Sequence, residues 1–167
     1  MGYVHDTHMS QFIPNTAFHG VTGTYTWTAG QVAGTISKHL AAAAITTVMN
    51  IPIMIPSNSV ALKGGKLASV EVDYEILSAI ATSVTASMSK VTRGADTAVA
   101  VVTSVPVTQD LVAAVAAATI DKHRLTVTVT TPAWIDNDEY YLLTLTIITN
   151  SAVIEFLAAV ANFTLRV

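Results

Sequence analysis

Three clusters hold the residues that could do chemistry in this sequence. His5, Asp6 and His8 bring two imidazoles and a carboxylate close together, a donor set suited to zinc or another transition metal. No fourth ligand follows nearby, so a solvated terminus is expected. Glu71, Asp73 and Glu75 alternate along one run, which sets the carboxylates roughly 7 Å apart on one strand face, near enough to share a hard cation. A solvated sheet face explains the row without an ion and is the favoured reading. Asp136, Asn137, Asp138 and Glu139 gather oxygen ligands but lack the glycine and terminal glutamate of a calcium loop, and read as a turn. His123 lies between Lys122 and Arg124 at a strand entrance, and His19 and His39 have no acid or nucleophile beside them. Gly20-Val-Thr-Gly23 and Gly64-Gly65 are turn signals without the helix a phosphate loop needs, and no serine-centred elbow is present. No catalytic, cofactor or metal site is assigned, and the chain is read as a non-enzyme.

The elements that would position such residues are strands. Leu125-Thr-Val-Thr-Val-Thr-Thr131 alternates apolar and hydroxyl side chains, so Leu125, Val127 and Val129 share one face. Lys66–Ile76 sets Ala68, Val70, Val72, Tyr74 and Ile76 against the acidic row. Glu139–Thr149 is apolar on both faces, the mark of a strand that is central or covered by another subunit. Val153–Val167 closes the chain, with Phe163, Leu165 and Val167 on one face. Pro52 and Pro56 confine Thr46–Ile55 to an edge or an early strand position. Residues 108–121 are alanine-rich and are left open between a helix and a surface loop. About eight short strands with turn signals every 8 to 15 residues predict an all-β antiparallel β-sandwich of jelly-roll type. Residues 24–167 form that sandwich, and residues 1–23, without sustained periodicity, form an extended N-terminal arm.

Composition narrows the function classes. The 167 residues are 51% hydrophobic but only 11% charged and 7% aromatic, against a charged fraction of about 25% in ordinary soluble domains. With a mean hydropathy of +0.54, such a chain is expected to hide surface in a homo-oligomer or larger assembly. A net charge of −3 with scattered Lys and Arg argues against a nucleic-acid partner. There is no cysteine, hence no disulfide framework. No apolar run reaches the roughly 20 residues of a membrane span, and no basic-then-apolar leader opens the sequence, so synthesis and folding in a cytoplasm are expected. Within the arm and first strand, Phe12, Ile13, Phe18, Tyr25 and Trp27 are the candidate subunit-contact residues. Deleting residues 1–20 is then expected to leave the sandwich folded and to weaken assembly.

The runs Lys66–Ile76, Ser89–Thr92, Val105–Thr108, Leu125–Trp134 and Phe156–Leu165 resemble those of a group of uncharacterised tailed-phage structural proteins. The resemblance covers about the last hundred residues. It implies a virion component made in the host cytoplasm, a capsid decoration (cement) or minor capsid protein that stands on the major capsid protein lattice, often as a trimer. A tail or extracellular-filament subunit joined through the arm is an alternative. A carbohydrate-binding module, with Trp27, Trp134, Tyr140 and Tyr141 as stacking platforms, is another.

Overall fold

A computed structural model describes residues 5–29, 36–40, 44–57, 64–94 and 99–166. Period-two alternation becomes strand over most of them. The strands are β1 (Asp6–Pro14), β2 (His19–Thr22), β3 (Tyr25–Ala29), β4 (Ile36–Leu40), β5 (Ile45–Ile53) and β6 (Gly64–Ile76). They continue as β7 (Ser83–Thr92), β8 (Val101–Val105), β9 (Val107–Gln109), β10 (Lys122–Val129), β11 (Glu139–Thr149) and β12 (Ile154–Arg166). Residues 1–4 of the expected arm and 41–43 of the alanine run after β4 lie outside the described residues.

Sheet A runs β3-β4-β12-β6-β10-β9, with β1 also on β12, and sheet B runs β2-β5-β11-β7-β8. The four central strands of A, β4-β12-β6-β10, and the four of B, β5-β11-β7-β8, follow jelly-roll order, because the chain passes from one sheet to the other at most connections. The protein is an all-β antiparallel sandwich. Its core lies between the sheets, where Val70, Val72, Tyr74, Leu125, Val127, Phe156 and Phe163 of A meet Met49, Ile51, Met88, Leu143, Leu145 and Ile147 of B. Glu139–Thr149, apolar on both faces, is central in sheet B between β5 and β7.

Two sequence readings need correction, and one left open is decided. Residues 6–14 are extended, but they are β1 of sheet A, paired with β12 from Asp6↔Arg166 to Pro14↔Ala158. Residues 19–22 form β2 of sheet B. The segment 1–23 therefore contributes to both layers of the domain it was expected to precede. Its irregular sequence hid this, because an edge strand needs little side-chain burial and so carries little alternation. Residues 108–121 hold the end of β9 and a single 3-10 turn, Val115–Ala117, with no α-helix; Ala116 and Ala117 plug the core instead. Ala68 does not share the inward face of β6. The register steps from Asn162↔Ser69 to Phe163↔Leu67, so Ala68 occupies a β-bulge and Leu67 fills the core in its place.

Gly23 and Gly64 both take positive φ, and at Gly23 the space is closed as well. Gly23 has φ +94°, and a Cβ there would stand 2.5 Å from Cγ2 of Thr47, so the turn from β2 into β3 accepts no other residue without strain.

Candidate assembly face

Charge is divided between the two sheets. Among the described residues, every Asp, Glu, Lys and Arg that lies in a strand belongs to sheet A, apart from Lys90 and Glu139. These two pair with each other at 2.5 Å at one end of sheet B. Burial alone would raise the Glu139 carboxyl; hydrogen bonds from Lys90, Asp136 N–H and Thr92 and the Lys90 charge outweigh it and hold the group below its ordinary value.

Paired residues of neighbouring strands share a face, so the outer surface of sheet B can be read from its register. Pro52, Leu142, Ser89 and Ser104 form one row, Asn50, Thr144 and Ser87 the next, then Val48, Thr146 and Thr85, then Thr46, Ile148 and Ser83. No acidic or basic side chain interrupts them; His19, opposite Asn50, stands at the margin. Hydrogen bonds keep the hydroxyls flat against the sheet: Thr144 Oγ1 donates to Asn50 Oδ1 at 2.9 Å, and Thr85 Oγ1 donates to the Thr146 carbonyl at 3.3 Å. The result is a broad, uncharged face of hydroxyls and aliphatic groups, cheap to desolvate.

The outer surface of sheet A is different. Arg124 makes a bidentate pair with Asp73, at 2.7 and 3.0 Å, and lies 3.6 Å from Glu71. Asn162 Nδ2 donates to Glu71 Oε1 at 3.0 Å. Glu71 and Asp73 of the acidic row are thus tied into sheet A by a cation and an amide, and Glu75 stands opposite Lys122 and Glu155 in the register. Among the described residues no three His, Asp or Glu side chains converge to hold a metal ion. Asp6 is engaged by Arg166 at 2.6 and 3.0 Å, which holds its carboxyl below the ordinary range, and His8 Nδ1 lies 3.4 Å from the Thr164 hydroxyl. His123 stacks on Tyr74 with ring centroids 5.2 Å apart, and His39 is opposite Thr26 and Glu155. Asp136 receives the backbone of Asn137 and opens a turn into β11.

The candidate contact residues divide. Ile13 and Phe18 are inside the core of their own chain, 5% and 0% exposed, and Phe18 packs edge-on against Phe156. They hold the β1–β2 segment to the sandwich and present nothing to a neighbour. Tyr25 leans on Phe156 at 6.3 Å. Phe12 and Trp27 are exposed, Phe12 on the charged outer side of sheet A beside Val160. The four aromatics of the stacking reading are not gathered. Lys66 Nζ and the Arg166 guanidinium lie 4.8 and 4.5 Å from the Trp134 ring, Lys38 Nζ lies 5.1 Å from that of Trp27, and Tyr141 is buried. Tyr140 alone lines an open hollow of about 630 Å³, with Arg93, Asn137, Asp138 and Glu139.

The sequence carried the signal of the uncharged face in the hydroxyls that alternate along Glu139–Thr149 and Ser83–Thr92, but only the register shows that they lie side by side.

Sequence comparison matches the chain to no family model and to no curated protein. Among solved structures it is similar to a Clostridium thermocellum endo-1,4-beta-D-xylanase fragment with carbohydrate-binding and hydrolase modules, complexed with xylohexaose. The likeness has a TM-score of 0.42 at 11% identity, over 92% of this chain and 27% of that one. The chain therefore spans about a quarter of the length of that structure.

Proposed function

We propose that the chain is a structural subunit of a virion, of the capsid-decoration or minor capsid type, acting by self-association and by binding neighbouring shell subunits. The observation that carries this reading is the outer face of sheet B, which spans β5, β11, β7 and β8 without an acidic or basic side chain. A protein with only 11% charged residues that confines its strand charges almost wholly to the other sheet is built to be wet on one side and covered on the other. The resemblance of the last hundred residues to tailed-phage structural proteins supplies the setting. Nothing in this reading requires a reaction. An open filament joined through the N-terminal segment would require β1 to leave its own β12, which makes the closed subunit the better fit.

The test is particle purification from the producing lysate. The chain is expected to co-purify with the shell protein at a fixed ratio, and a Thr85→Glu/Ile148→Glu variant, which charges the face without touching the core, is expected to fold and stay soluble outside the particle. Recovery of the unaltered chain only in the soluble fraction would overturn the reading.

One observation favours a second reading, a carbohydrate-binding module. The hollow beside Tyr140 joins an aromatic ring to an amide, two carboxylates and a guanidinium, groups that bind hydroxyl-rich ligands. Glycan-array binding that is lost in Tyr140→Ala and kept in Trp134→Ala would establish it there.

A further inference from the structure

Sheets that end in a free strand invite pairing, and proteins blunt such edges with charge, proline, bulges or brevity. Most edges of this sandwich are blunted. On sheet A, β1 carries Asp6 and ends in Pro14, and β9 is three residues long behind Pro106. The outer strand β3 has the Lys38 ammonium across Trp27. On sheet B, β2 is short and its pairing with β5 slips at Val21, and β5 beyond it holds Pro52.

The other edge of sheet B is also short, five residues ahead of Pro106, but it has neither charge nor bulge. β8 pairs with β7 in unbroken register from Met88↔Val105 to Thr92↔Val101, and among the described residues no strand flanks its far side. From Val99 to Gln109 there is no charged residue, and no proline lies within the strand. Both of its faces are open: Val101 and Val102 are 60% and 63% exposed, and Thr103 and Ser104 are exposed too.

We infer that β8 pairs antiparallel with β8 of a second copy of this chain, about a two-fold axis at Thr103, joining two copies of sheet B edge to edge. This deepens the assembly reading and rests on it for its biological setting. The strand is its own complement. In that register Thr103 faces Thr103 of the copy, Val101 faces Val105 on one side of the sheet, and Val102 faces Ser104 on the other. Every cross-strand pair is then aliphatic or hydroxyl, and no like charges oppose. A charged partner would find no counter-charge in β8, whereas the copy satisfies both the main-chain groups and the valines. Such a contact is isologous and closes on itself. It also makes the uncharged outer faces of the two copies one continuous surface, twice as wide for the same shell to cover. Five residue pairs make a small interface, below the roughly 1,000 Å² of a stable complex, so the free dimer is weak and concentration-dependent and becomes persistent on a surface that holds both copies. Its unit is a pair, not the trimer that the family resemblance implies.

Light scattering over a concentration series tests this. The unaltered chain is expected to rise from 17.5 kDa toward twice that mass. Thr103→Lys and Thr103→Glu, each setting like charges opposite each other across the axis, are each expected to stay monomeric with unchanged circular dichroism, and their equimolar mixture to recover the dimer. Because the chain has no cysteine, Thr103→Cys gives a clean second readout. Mild oxidation is expected to cross-link it at least about tenfold faster than Thr85→Cys, on β7 one strand in and beyond the end of the β7–β8 pairing, because pre-association raises the local thiol concentration. Association of T103K alone as strongly as the unaltered chain, a mixture that recovers nothing, or equal cross-linking at positions 103 and 85 would each overturn the inference. A charge-swapped dimer from a protein that never enters particles would leave the pairing standing and remove the shell reading. Particle entry with no dimer under any of these conditions would do the reverse.

Discussion

Trp134 shows how a single side chain can look functional and be structural. In sequence it is an aromatic beside an acidic turn. In the fold Ile135 N–H donates to the Gly65 carbonyl at 3.0 Å, and the indole lies between Lys66 and Arg166, where cation–π attraction is worth about 0.5–1 kcal/mol at an exposed site. Trp134→Ala is therefore expected to lower stability by about 1–2 kcal/mol in urea unfolding. Tyr74 and Tyr141 are buried phenols whose hydroxyls donate to the carbonyls of Ala116, at 2.6 Å, and Ala133, at 3.1 Å. Burial raises both, helped by Asp110 for Tyr74 and by Glu139 for Tyr141, the latter to about 12. A phenol raised in the folded state contributes stability below its unfolded value near 10 and loses it as pH climbs through the folded value. Alkaline titration should thus show part of the tyrosinate absorbance appearing only together with unfolding, and Tyr141→Phe should shift that transition to higher pH. Glu139 runs the other way. Lowered in the folded state from 4.5, it supports the fold above that pH and ceases to as pH falls through the lowered value, so Glu139→Gln should flatten the acid limb of a stability–pH curve. Gly23→Ala, forced into a left-handed backbone against Thr47, is expected to cost about 1–2 kcal/mol.

At the scale of elements, β1 and β2 change what a truncation should do. Deleting residues 1–20 removes Ile13 and Phe18 from the core and strips the partner of β12 along nine residues. The loss of Phe18 alone is worth about 3–5 kcal/mol, so the deletion should unfold or nearly unfold the chain, as a melting curve by circular dichroism would show. That β1 belongs to the sheet was hidden because its burial is confined almost to Ile13, with a row of exposed residues before it. Strands with a marked apolar face were legible: β6 from Val70 onward, β10 and β11 bury the alternate residues that their sequence marks as apolar, while on β12 Phe163 is buried, Leu165 is half-buried and Val167 lies outside the described residues. The bulge at Ala68 was not, since Leu67-Ala68 offers two apolar neighbours and only the partner strand decides which points inward. The alanines of 108–121 failed as helix because a short connection across the end of the sandwich satisfies them with Ala116 and Ala117 in the core, which tertiary packing rewards more than propensity does. The uncharged face was legible only as a composition, because strands far apart in sequence, β5, β7 and β11, build it together.

For the whole molecule, the division of charge between two sheets means that salt and pH act mainly on one side. Ionic strength should loosen the Arg124–Asp73 and Arg166–Asp6 pairs on sheet A while association through sheet B changes little or strengthens, a contrast that light scattering at low and high salt would reveal. A salt-dissociated assembly would place the contact on sheet A instead. The pairing of β1 with β12 bears on how the chain comes into being. Residues 6–14 leave the ribosome some 150 residues ahead of residues 158–166, which make their place in the sheet. β12 is also the strand that joins β4 and β6, so until it emerges sheet A has no centre. The nascent chain must therefore carry β1 without its β12 partner until β12 has emerged. Refolding should be correspondingly slow, in the millisecond-to-second range of proteins dominated by distant contacts, and pulse-labelled hydrogen exchange should find the β1 amides gaining protection no earlier than those of β12.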